Sequence, residues 1–148
     1  MIYEKPFKKD WDSFLSDDLV AQDAPIEQTW ELLYSLLRQH HRVIFITGRP
    51  EAQREVTYNW LNTSTCPVRL YAWHHWEERS RSGGIHGPII YMRKNGDRRL
   101  SHIVKGELLE RARMDGFDPK IAFEDRIEDT KMWREKGLLC CQVAEGNY

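Results

Sequence analysis

Four segments of this chain are apolar without alternation: "VIFIT", "PIIYM", "KIAF" and "LLCCQVA". Successive side chains of a β-strand point to opposite faces, so a continuous apolar run needs cover on both faces. That requirement selects a sheet with helices on each side, and the intervening segments supply the helices. Ile26, Trp30, Leu33 and Leu37 recur at helical spacing and predict a helix to about His40, with Asp23 as N-cap and Pro25 in the first turn. Pro50 suits the first turn of a second helix reaching about Leu61. Ser101 is expected to cap a third, which carries Ile103, Val104, Leu108 and Ala112 and stops at Gly116. A short fourth helix over residues 127–136 ends at Gly137. "CPVRLYAW" reads as a further strand, and "HHWEERSRSGGIH" after it as a loop or extended hairpin. The fold class expected is α/β, a three-layer domain with a mostly parallel sheet, formed as one domain by residues 1–148.

A chain of 148 residues has enough core to fold without staples, and its net charge of −1 gives no global basic field for nucleic acid or membrane. Three cysteines, with Cys140 and Cys141 adjacent, make neither a disulfide framework nor a zinc spacing, which fits a reducing, cytoplasmic setting. No run approaches the ~18 apolar residues of a membrane span, and no membrane partner is expected.

Two of the apolar runs end in polar clusters: Thr47, Gly48 and Arg49 after one, Glu124, Asp125 and Arg126 after the other. In open parallel sheets, ligands sit beyond the carboxyl ends of the strands. Singly, each residue has an ordinary explanation: a helix cap, a surface base, acids facing a helix N-terminus. Together on one rim they suit a phosphate and a divalent metal, because arginine's fork matches phosphate and hard oxygen ligands match Mg²⁺.

In this order the residues resemble the haloacid dehalogenase (HAD) phosphatases, and more closely the 3′-phosphatase domain of phage-type polynucleotide kinase–phosphatases. "RVIFITGRPEAQREVTYNWL" looks like the second HAD motif, "YMRKNGDRRLSHIVKGELL" like the segment leading to the third-motif lysine, and "IAFEDRIEDTKMWREKGLLCCQVAEGNY" like the family's terminal pattern. The resemblance runs from roughly Asp10 to the last residue. It implies a HAD-like Rossmannoid fold and catalytic roles for Thr47, Arg49 and Lys105. Gly48, Arg93 and Arg99 are implied at the substrate, and Asp125 with Glu124 at Mg²⁺. Ser101 stands where the family pattern often has Asp.

The HAD reaction uses an aspartate nucleophile and a second aspartate two residues later, both in an Asp-x-Asp-Gly-Thr motif at the end of the first, central strand. No such motif is present, so the first strand is expected to be missing and the chain to begin just after it. Asp10-Trp11-Asp12 has the spacing without the context: "KPFKK" is no buried strand and "SF" no glycine turn. Three ways of closing the sheet stay open: re-pairing without the strand, a strand from a partner chain, or a start placed too late.

From Trp76 to Arg99 there are six Arg/Lys against three Asp/Glu, with aromatic residues interleaved, over a stretch 73–99 that resembles an insertion. Such a pattern suits stacked bases and phosphates of a single strand, and equally a solvated loop over packed tryptophans. Two functions follow from the resemblance. One is a polynucleotide 3′-phosphatase using Mg²⁺ on nucleic-acid or nucleotide 3′-phosphates, truncated or degenerate as it stands. The other is a non-catalytic phosphate- or nucleic-acid-binding module. A kinase role finds little support in these 148 residues, which carry no Gly-rich Walker-type loop.

Overall fold

A computed structural model describes residues 16, 21–62 and 88–146. Helix α1 (Glu27–Arg38) leads to strand β1 (Ile44–Pro50), a 3₁₀ turn (Glu51–Gln53) and α2 (Arg54–Leu61). Strand β2 (Ile89–Arg93), α3 (Ser101–Met114), β3 (Ile121–Arg126), α4 (Ile127–Glu135) and β4 (Leu139–Gly146) complete the order. All four apolar runs are strands. The further strand and loop expected in "CPVRLYAW" and "HHWEERSRSGGIH" lie outside the described residues, as do most residues of the aromatic-basic stretch.

Both strand pairings are parallel. β1 lies beside β2 with Ile44 opposite Ile89 and Thr47 opposite Met92; β3 lies beside β4 with Ile121 opposite Leu139 and Glu124 opposite Gln142. Among the described residues β1 and β3 do not pair with each other, so the sheet is two parallel halves. Helices cover the β1–β2 half on both faces. Trp30 of α1 and Leu61 of α2 pack with Ile90 and Met92, joined by Phe45. Val104, Leu108 and Ala112 of α3 pack with Tyr91, Ile44, Ile46 and Ile89 on the opposite face. A third cluster sets Leu109 of α3 and Met132 and Trp133 of α4 against Leu138, Cys140 and Ala122, with Ile46 of β1 at its edge. Helix α3 therefore touches both halves and spans the seam. This is the doubly covered α/β arrangement that the apolar runs demand, a HAD-like Rossmannoid fold.

The helix ends show where local rules were overridden. Neither expected cap is one. The residue before α1 is Ile26, with no side-chain cap, while Asp23 pairs with Arg49 and its carbonyl accepts from Trp60 Nε1. The residue before α3 is Leu100, and the Ser101 hydroxyl bonds Asp129 instead of the helix backbone. Pro50 closes β1 and precedes the 3₁₀ turn, so α2 itself begins at Arg54. The stops hold: Gly116 and Gly137 have φ of 94° and 88°, the left-handed conformation that glycine adopts at no steric cost. Strand β1, expected to be buried, is half-buried along its length, because the side facing β3 carries no strand among the described residues.

One half-buried polar contact gives the fold a pH signature. Tyr91 donates its hydroxyl to Asp115 Oδ2 at 2.7 Å, with Phe117 edge-on to its ring. Burial, then the hydrogen bond to the Asp115 carboxylate, pushes the phenol up to about 12 from its usual 10. The folded state thus holds the proton more tightly than the unfolded chain. Its stabilising contribution is full below pH 10 and is lost as pH rises through about 12. Denaturant titrations of wild type and Tyr91→Phe are expected to converge as pH climbs across that window, the wild type losing the larger share of stability.

Candidate functional site

The carboxyl ends of β1 and β3 meet at one rim, and a buried ion cluster joins them. Lys105, one turn into α3 and 9% exposed, donates from Nζ to Glu124 Oε2 at 2.6 Å and to Asp129 Oδ2 at 2.8 Å. Glu124 is the end of the inward-facing side of β3. Its Oε2 also accepts from Trp133 Nε1 at 3.1 Å, and its Oε1 accepts from the backbone N–H of Asp125 at 3.1 Å and Arg126 at 3.4 Å. Asp129, in the first turn of α4, has no exposed surface. Its Oδ2 accepts from Ser101 Oγ at 2.8 Å, whereas its Oδ1 is buried without a partner. Two carboxylates thus face one lysine, with an acceptor left over.

Across the rim, Thr47, Gly48 and Arg49 form the end of β1. Thr47 Oγ1 accepts the Arg49 N–H at 3.2 Å, which turns the hydroxyl back onto its own backbone. A side chain at Gly48 would stand 3.5 Å from both Ser101 Oγ and an Arg93 nitrogen, so the β1 end lies directly beside the Ser101–Asp129–Lys105 chain. Arg49, one-quarter exposed, forms a 2.7 Å ion pair with Asp23.

Arg93 and Arg99 are arranged differently from each other. Arg93 donates to three backbone carbonyls, Gly48 at 2.7 Å, Asp97 at 3.0 Å and Arg99 at 2.6 Å, and so ties the 97–99 turn to the end of β1. Arg99 is half exposed and forked between Asp97 and Glu107. Hydrogen bonds from the Arg99 side chain, then from its backbone, draw Asp97 down to about 2. Gly96 has φ of 79°, the conformation that this turn requires.

Glu124 and Asp125 were adjacent acids in the sequence, and the pleat separates them. Consecutive strand residues point to opposite faces, so Glu124 enters the α3–α4 layer and Asp125 does not. Asp125 is held through its backbone. Gln142 Nε2 donates to its carbonyl at 3.1 Å, and a Cβ on Gly146 would come within 2.6 Å of that same oxygen. The Gln-Val-Ala-x-Gly ending is therefore a clamp on the strand that carries the acid pair.

The expected Mg²⁺ has to be tested against these residues. Both Glu124 oxygens already accept hydrogen bonds, and no group of three or more His, Cys, Asp or Glu side chains converges among the described residues. Glu124 does not fit as a ligand in this arrangement. Asp125 is a single carboxylate of the kind that holds Mg²⁺ together with waters and a substrate phosphate.

Asp129 and Ser101 are the residues that sequence reasoning did not place in the site. The available signal for Asp129 was its position four residues before Trp133, on the helix face that carries Thr130 and Trp133 inward.

Two substitutions probe this geometry. Lys105→Met leaves Glu124 and Asp129 buried together without their cation and is expected to destabilise the fold by about 3–5 kcal/mol in urea titrations at neutral pH. Gly146→Ala forces β3 and β4 apart at Asp125 and is expected to cost about 1–3 kcal/mol, readable in the same titrations.

With this geometry in hand, the comparisons with known proteins carry weight. The family model described as "Polynucleotide kinase PNKP phosphatase domain" matches residues 10–148. A solved chain from "Structure of the Pnkp1/Rnl/Hen1 RNA repair complex" superposes with a TM-score of 0.66 at 26% identity, over 86% of this chain and 35% of its own length. A chain from "Structure of Pnkp1/Rnl/Hen1 complex", also at a TM-score of 0.66, shares the fold at 24% identity over 99% of this chain and 41% of its own. The chain spans about a third to two-fifths of these neighbours. Among the described residues no helix is long and apolar enough to cross a membrane. A match over nearly the whole length, on a fold that sets Thr47-Gly48-Arg49 beside Lys105 and Glu124, shows that the chain belongs to the family of polynucleotide kinase PNKP phosphatase domains.

Proposed function

We propose that this chain recognises a 3′-phosphorylated nucleic-acid end at the shared rim of β1 and β3, as a domain of polynucleotide 3′-phosphatase type. The observation that carries this reading is the convergence of the β1 end, through Gly48 and Ser101, on the buried Lys105 cluster. Phosphate needs donors in a fixed, partly dry setting, where charge-assisted hydrogen bonds are strongest. Arg49 and the Thr47 hydroxyl supply donors from β1. Lys105 supplies a cation from α3 whose position is set by its two carboxylates. In this reading the Gly48 backbone lets the phosphate approach closely, with Arg93 supporting it from behind, and Arg99 meets the strand at the exposed rim. A bound phosphate competes with Asp23 for Arg49 and with Asp97 and Glu107 for Arg99.

Mg²⁺ held by Asp125 would neutralise charge on the phosphoryl oxygens. The nucleophile of the full reaction is an aspartate that the described rim does not provide. Hydrolysis therefore depends on a carboxylate from elsewhere, and binding does not. A second, non-catalytic reading is favoured by one specific observation: Lys105 is shared by two buried carboxylates, an arrangement that holds the site rigid and leaves its cation largely neutralised. The RNA repair complexes of the structural neighbours make a partnered, end-binding role a natural setting for either reading.

Fluorescence anisotropy with a 3′-phosphorylated oligonucleotide and its 3′-hydroxyl counterpart tests the proposal. Tighter binding of the phosphorylated end is expected, with Arg49→Ala weakening it about tenfold or more. Equal affinity for the two ends would overturn it. Phosphate release from the same oligonucleotide, with and without Mg²⁺, separates the two readings: release that is lost in Asp125→Asn marks the enzyme, and its absence marks the binding module.

A further inference from the structure

We infer that Asp129 is a positioning residue of the phosphate site: from α4 it supplies the carboxylate that the family pattern often carries at position 101, and it holds Lys105 toward the end of β1. The inference rests on the phosphate reading of the rim and names the residue that fixes its cation. Asp129 is the third residue of α4 and is fully buried. One of its oxygens, Oδ2, accepts from two groups of α3, Ser101 Oγ at 2.8 Å and Lys105 Nζ at 2.8 Å. The other, Oδ1, is buried and has no partner among the described residues. A buried carboxylate with an unused acceptor is a poor stabiliser, because its lost hydration is only partly replaced. The first turn of a helix offsets part of that cost. What the arrangement secures is position.

Ser101 and Lys105 are four residues apart on α3, so they stack a turn apart on one face, and both are buried. An acid at position 101 would precede the lysine by one turn, the favourable order for an ion pair along a helix. Residue 101, where the family pattern often has Asp, is Ser in this chain. The shorter side chain leaves room, and the Asp129 carboxylate enters from α4 to meet both the hydroxyl and the ammonium. The acid has moved from one helix to its neighbour, while its place beside Lys105 is kept.

The two carboxylates on Lys105 act differently. Glu124 is tied to β3 and α4, through the N–H groups of Asp125 and Arg126 and through Trp133 Nε1, so it fixes the ammonium to the β3 end of the rim. Asp129 links the same ammonium through Ser101 to Gly48, where a Cβ would stand 3.5 Å from Ser101 Oγ. That is the strand end bearing Thr47 and Arg49. An ammonium has three N–H donors, and with two held by carboxylates the third is left for a phosphate oxygen. Donors fixed in advance lose less freedom on binding. By charge alone, removing Asp129 would tighten phosphate binding, since it deletes a negative charge beside the site. A positioning role predicts the opposite sign.

The test exchanges the two side chains, comparing wild type with Asp129→Ser and with Ser101→Asp/Asp129→Ser, each checked for folding by circular dichroism. If Asp129→Ser does not fold, Asp129→Asn and Ser101→Asp/Asp129→Asn take their places. Affinity for a 3′-phosphorylated oligonucleotide and its 3′-hydroxyl counterpart is read by fluorescence anisotropy. Asp129→Ser is expected to bind the phosphorylated end about tenfold more weakly, with the hydroxyl end unchanged, and the double variant to recover most of the loss. Unchanged or tighter binding by Asp129→Ser, or a double variant no better than the single one, would overturn the inference. A second readout contains no phosphate: the proton–nitrogen resonance of the Lys105 ammonium, identified by its loss in Lys105→Arg. It is expected in the wild type, lost to solvent exchange in Asp129→Ser and restored in the double variant. A wild type that binds both ends alike overturns the phosphate reading, and the hold of Asp129 on Lys105 is then decided by this resonance, whose persistence in Asp129→Ser would overturn it.

Discussion

The site and the fold both depend on the position of Lys105. Burying an ammonium with two carboxylates carries a large desolvation cost that their mutual attraction and hydrogen bonds must offset. The offset works only if α3, β3 and α4 hold their relative positions, because the three charged groups come from one element each. The cluster also reaches the other half of the sheet. Ser101 bonds Asp129 and lies against Gly48, so the end of β1 is placed by the same contacts. Loosening any one of these elements would leave a buried charge without its partner, a stronger restraint on geometry than apolar packing alone provides.

Among the described residues the two half-sheets are joined by helix rather than by strand. Leu109 and the neighbouring face of α3 pack across the seam, with Ile46 and Ala122 on either side of it. Apolar packing at such a seam tolerates small shifts, whereas a ladder of hydrogen bonds would not. The rim residues on β1 and β3 therefore owe their register to the Lys105 cluster and to the backbone clamp at Asp125. Those two devices sit at the carboxyl end of the sheet, where open α/β folds bind ligands.

The terminal Gln-Val-Ala-x-Gly pattern illustrates how a motif can be functional without touching chemistry. Gln142 and Gly146 both act on the Asp125 carbonyl, one by donating to it and one by allowing close approach. Their effect is to set the direction in which β3 presents its acids. Arg93 does the same for β1 with three carbonyl contacts. In each case a residue type recognisable in sequence supports the backbone of a neighbour on the rim.

Local rules written in the sequence determined the elements. Continuous apolar runs required two-sided cover, so "VIFIT", "PIIYM", "KIAF" and "LLCCQVA" read correctly as strands of a parallel, helix-covered sheet. Gly116 and Gly137 marked helix ends because only a residue without Cβ takes that conformation cheaply. Thr47, Arg49, Glu124 and Lys105 were legible as candidates because polar groups at strand ends and a lysine in a family-like segment are visible in one dimension. Tertiary structure decided which of them meet. Asp23 and Ser101 left their expected capping roles for charged partners 26 and 28 residues away, Asp23 at the surface and Ser101 in a buried setting where a bond to a carboxylate outweighs a local one. Asp129 was marked only by its helical spacing to Trp133, which says that it faces inward but not that it meets Lys105. The separation of Glu124 from Asp125 followed from the pleat, and the division of the described strands into a β1–β2 and a β3–β4 half from pairing alone. Pairing is a long-range property that no stretch of residues specifies by itself.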